Sequence, residues 1–80
     1  MGMNLSPKQI EMLKECRDDP NGQVITSGFH RSPNVQARFS TKTALSLRDR
    51  GLLRFKGYPS NRELRIFEIT EYGLKELTGR

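Results

Sequence analysis

Residues 40–53 read STKTALSLRDRGLL. Ser40 is a good N-cap residue, and the stretch behind it carries a helical pattern. Ala44, Leu47 and then Gly51 fall on one side at three- and four-residue spacing, with Leu52 just beyond. The small Ala44 allows a neighbouring helix to come close. Gly51 ends the helix in the left-handed conformation that glycine adopts without steric cost. Thr41, Lys42, Thr43, Ser46, Asp49 and Arg50 take the outward positions, and Leu45 lies at the flank. A strand follows at once over residues 52–57, with Leu53 and Phe55 facing one way and Arg54 and Lys56 the other.

Downstream of this helix–glycine–strand step, Gly57-Tyr58-Pro59-Ser60-Asn61-Arg62 forms a turn-rich tip. Glu63 to Ile69 is the return strand. Arg65, Phe67 and Ile69 share one parity; Leu64, Ile66 and Glu68 share the other. Thr70 caps a last helix with Glu71 in its first turn, where a carboxylate suits the helix dipole. Leu74 and Leu77 form the inner face of that helix, and Tyr72 is a further candidate for it.

Upstream, Leu5 to Cys16 opens with a strong helix start. Ser6 caps, Pro7 suits the first helical position, Gln9 completes a capping box, and Leu5 with Ile10 can form the hydrophobic staple. Ile10, Met12, Leu13 and Cys16 recur at helical spacing. Arg17 to Gly22 is a breaker cluster, and Gln23 to Thr26 has the β-branched content of a short strand. Phe29 to Phe39 is the least regular segment. Ser32-Pro33 marks the start of a short helix, Pro33 to Arg38, with a looped connection as the competing reading.

Eighty residues make a single domain over 1–80, with 1–5 and 78–80 expected as flexible ends. A chain of this size has a thin core. The net charge of +5 is unevenly placed, because residues 31–65 hold nine Lys/Arg against two Asp/Glu. Such a block calls for an anionic partner, although a merely solvated basic surface has the same composition. The single cysteine excludes an intrachain disulfide, and no apolar run approaches the ~18 residues of a membrane span. The expectation is a cytoplasmic protein without membrane contact. His30 is the only histidine and has no metal-ligand spacing around it, and no nucleotide or nucleophile motif is present. We therefore expect no enzyme activity, no metal and no cofactor.

The run Thr43-Ala44-Leu45-Ser46-Leu47-Arg48-Asp49-Arg50-Gly51-Leu52-Leu53, the basic hairpin after it, and Ile69-Thr70-Glu71-Tyr72-Gly73-Leu74 together resemble bacterial and phage winged-helix regulators. In that family a recognition helix ends in a similar R-G-L step, two wing strands follow, and a further helix opens with a similar I-T-x-x-G step. The resemblance covers Ser40 to Leu77, about half of the chain. It implies an α+β fold: a winged helix-turn-helix of three to four helices with a two- or three-stranded antiparallel wing sheet. It also implies duplex DNA as partner in transcription regulation. It places Thr41, Lys42 and Thr43 where such regulators meet DNA. Arg54, Lys56, Arg62 and Arg65 of the wing would then grip phosphates, and Arg38 would touch backbone. Arg54 and Arg65 have a rival use, pairing with Glu63 or Glu68 across the hairpin. The alternative function is a winged-helix interaction module, such as a phage-encoded inhibitor or an adaptor, with a protein partner. RNA binding is a third reading, and a homodimer would help so small a core.

Overall fold

The computed structural model describes residues 4–27, 39–59 and 64–79. They form an α+β structure of three helices and a four-stranded mixed sheet: α1 (Pro7–Asp18), β1 (Gln23–Ser27), β2 (Phe39–Ser40), α2 (Thr41–Asp49), β3 (Leu53–Gly57), β4 (Arg65–Ile69) and α3 (Glu71–Thr78). The strand order is β2-β1-β4-β3. None of the helices among the described residues is long and apolar enough to cross a membrane.

α1 starts as its sequence dictates. The Ser6 side chain accepts from the Gln9 N–H at 3.2 Å, and the Gln9 side chain accepts from the Ser6 N–H at 2.8 Å, so both halves of the capping box are made. Met12, Leu13 and Cys16 are fully buried. At the far end the Asp19 carboxylate accepts from the N–H groups of Asn21 and Gln23, closing the turn into β1. Burial, with Asp19 and Glu15 adding repulsion, pushes the Cys16 thiol up to about 12, which marks a packing residue rather than a nucleophile.

The sheet corrects the expected all-antiparallel wing of two or three strands. β4 is central, antiparallel to both β1 and β3, while β2 lies parallel to β1 through Thr26–Phe39 and Ser27–Ser40. The cause of the extra strand is local. A helix N-cap residue takes extended dihedrals, and Ser40 does so at φ −83° and ψ 146°. The buried Phe39 fixes this extended pair against β1. The expected short helix Pro33–Arg38 lies outside the described residues.

The end of α2 is closed by glycine as expected. Gly51 has φ 79°, its N–H donates to the Arg48 carbonyl, and the Leu52 N–H reaches back to the Leu47 carbonyl. This pair of bonds is the Schellman arrangement, and it turns the chain directly into β3. The same corner receives the start of α3. Thr70 donates its N–H to the Leu52 carbonyl at 3.1 Å and its hydroxyl to the Gly51 carbonyl at 2.7 Å. The Thr70 hydroxyl also accepts from the Gly73 N–H at 3.0 Å, which caps α3.

The inner face of α3 differs from the expected Leu74–Leu77 stripe. Gly73, Glu76 and Leu77 are buried, whereas Leu74 is 40% and Tyr72 48% exposed. Gly73 sets this rotation. A Cβ added there would lie 2.5 Å from the Leu52 carbonyl oxygen and 2.8 Å from Ile69 Cγ1, so only glycine allows the helix to approach. With Gly73 turned inward, the next residue is carried about 100° away, from 3.6 residues per turn.

Gly73→Ala tests this contact. Alanine favours a helix over glycine by about 1 kcal/mol, but overpacking costs about 1–3 kcal/mol. The expected outcome is a net loss of stability, read as a lower urea midpoint. An unchanged or raised midpoint would contradict the close approach.

Candidate nucleic-acid interface

Ser40 caps α2, its hydroxyl accepting from the Thr43 N–H at 3.2 Å and sharing a hydrogen bond of 2.9 Å with the Thr43 hydroxyl. Ala44 and Leu47 point into the core, as their spacing requires. Thr41 does not point outward. It is 0% exposed and shares a hydrogen bond of 2.9 Å with the Thr26 hydroxyl. It lies three residues before Ala44 and so shares the inward face, which removes its side chain from any surface contact.

Lys42 is exposed, and Thr43 is half-buried. Beside them Ser46 donates to the Thr43 carbonyl at 2.7 Å and accepts from Gln9 Nε2 at 2.9 Å. Gln9 thus serves twice: it completes the cap of α1 and ties that cap to α2. Ser6, Gln9, Lys42, Thr43 and Ser46 line a shallow cleft at this junction. Toward the end of α2, Arg48 lies 3.5 Å from the Asp49 carboxylate, and Arg50 donates to the Asn4 carbonyl at 3.0 Å.

In the hairpin the rival use of Arg54 is realised. Arg54 and Glu68 face each other in register and form an ion pair of 3.1 Å. Both ends have solvent access, so the pair is weak and open to exchange. Lys56 is exposed. The Arg65 guanidinium lies over the Tyr58 ring, 5.4 Å from its centroid. Arg62 and Arg38 fall outside the described residues.

One grouping escaped the sequence pattern. Phe55 and Tyr58 are three residues apart, so strand parity separates them. The ladder shifts register between Phe55 and Gly57, where Phe55 pairs with Phe67 but Gly57 pairs with Ile66. The extra residue reverses the side on which the following residues emerge. Tyr58 therefore meets Phe55 edge to face at 5.5 Å, and Phe55 meets the buried Phe67 at 5.6 Å. Leu45 and Arg48 of α2 complete a cleft with these rings and Arg65. A glycine between two aromatics at a hairpin end was the signal available for the bulge.

Among the described residues no group of three or more His, Cys, Asp or Glu side chains is placed to hold a metal ion. No protein-family model, curated protein or solved structure matches the chain.

The buried Thr26–Thr41 hydroxyl pair predicts a non-additive result. Thr41→Val alone leaves the Thr26 hydroxyl with only a long 3.5 Å contact to the Arg65 carbonyl. It should cost about 1–3 kcal/mol, whereas the double change to valine should be less damaging than the two single losses added. Thermal or urea unfolding of the three variants checks this; strict additivity would show that the pair is not coupled.

Proposed function

We propose that this chain is a small winged-helix protein that binds duplex DNA and acts in transcription regulation. The carrying observation is the basic block of residues 31–65, with nine Lys/Arg against two Asp/Glu, within which α2 packs directly on β3. The order of helix, glycine stop, hairpin and helix supports the winged-helix assignment. In this proposal the exposed stripe of α2 enters the major groove, where Lys42 reaches a guanine edge or a phosphate. Lys56 and Arg65 hold flanking phosphates, joined by Arg54 when it leaves Glu68. Arg62 and Arg38 belong to the proposal through their sequence positions. Thr43 contributes backbone and methyl surface, since its hydroxyl is engaged with Ser40. Tyr72 and Leu74, large and half-exposed on α3, favour the rival reading of a protein-interaction module.

A salt titration on random-sequence duplex distinguishes the two. Binding should weaken steeply and linearly on a log–log plot. Lys42→Ala and Lys56→Ala should each lower affinity for all sequences and reduce the slope by about 1. Absence of binding at low salt would contradict the proposal.

A further inference from the structure

The cleft between α2 and the β3–β4 hairpin has a chemistry of its own. Its lining is Leu45, Arg48, Phe55, Tyr58, Arg65 and Phe67, enclosing about 330 Å³. The lining combines aromatic rings with two guanidinium groups and, among the described residues, no carboxylate. Phe55 and Tyr58 remain 40% and 49% exposed, although a core this thin gains from every ring it can bury. They are nonetheless held in place. Phe55 leans on the fully buried Phe67, and Tyr58 is braced between Phe55 and the Arg65 guanidinium. Arg48 stands at the rim with its side chain 48% exposed, and among the described residues its ion pair is the weak 3.5 Å contact to its neighbour Asp49.

We propose that this cleft is a stacking site for an unpaired base of single-stranded nucleic acid, with one of the nearly perpendicular rings of Phe55 and Tyr58 taking the base face to face, the other meeting its edge, and Arg48 on the adjoining phosphate. A base offers a π-face to the rings, and its phosphate offers a negative charge to Arg48. An apolar peptide would meet only the first of these, and a bare phosphate only the second. Such sites tolerate any base, because stacking does not read hydrogen-bond edges. The inference rests on the nucleic-acid reading above but assigns different residues, so the two separate experimentally.

The test compares three probes on the full chain at one salt concentration: a dye-labelled oligothymidine, an abasic oligomer of equal length and charge, and a blunt duplex. The oligothymidine should bind roughly 5- to 150-fold more tightly than the abasic strand, the worth of one stacked base. Phe55→Leu and Tyr58→Leu, checked for folding by circular dichroism, should remove most of that preference, whereas Lys42→Ala should weaken both strands alike. The chain has two tyrosines and no tryptophan, so Tyr72→Phe leaves Tyr58 as sole emitter. Its fluorescence should then be quenched by oligothymidine and not by the abasic strand. Equal affinity for the two strands, with duplex binding retained, would overturn the stacking site alone. Failure to bind any of the three probes would overturn the nucleic-acid reading as well. Base preference that survives both leucine substitutions would place the stacking elsewhere and overturn this assignment.

Discussion

The main-chain unit at Leu52 joins the parts of this molecule that carry charge. Its N–H closes α2 through the Leu47 carbonyl, and its own carbonyl accepts the Thr70 N–H. Its side chain is fully buried, and Gly73 lies flat against its carbonyl. The end of α2, the start of β3 and the entry to α3 are thereby fixed to one another within a few ångströms. The corner explains why R-G-L and I-T-x-x-G steps belong together in one sequence: Thr70 bonds to Gly51 and Leu52 of the first step and caps the helix whose glycine packs on it. If the corner loosened, α2 and the hairpin would no longer present a single surface.

What was legible in the sequence is what short-range chemistry determines. The capping box at Ser6, the glycine stop at Gly51 and the cap at Thr70 all join residues within a few positions of one another, and each is found as expected. Features joining distant residues were not legible. The Thr26–Thr41 pair, the Gln9–Ser46 tie and the parallel pairing of β2 depend on how elements meet. One local reading failed for a similar reason. Leu74 fits an inward stripe by spacing, but the close approach at Gly73 sets the rotation of α3. Tyr58 has the wrong parity for Phe55 until one extra hairpin residue reverses it.

The candidate surface differs from a surface built to read many bases. Thr41 is buried, and the hydroxyls of Thr43 and Ser46 are engaged within the protein. On the α2 stripe Lys42 is left as the long exposed donor, with Asp49 further along opposing close phosphate approach. The cations of the hairpin suit phosphates, which position a protein without specifying sequence. An interface of this composition should therefore be dominated by charge, with the aromatic cleft supplying contacts that do not depend on base identity. The Arg54–Glu68 pair moderates that charge, because one hairpin arginine must leave its partner before it grips a phosphate.

The central claim is that α2 and the hairpin, fixed to each other at Leu52, form the binding surface. The most direct measurement is a map of backbone amide chemical shifts during titration with a short random-sequence duplex. The account predicts that the largest changes fall on Lys42, Ser46 and Asp49 of α2 and on Arg54 to Tyr58 of the hairpin, with the second half of α1 and the outer face of α3 little changed. Changes concentrated instead on Tyr72 and Leu74, or an unchanged spectrum at low salt, would contradict it.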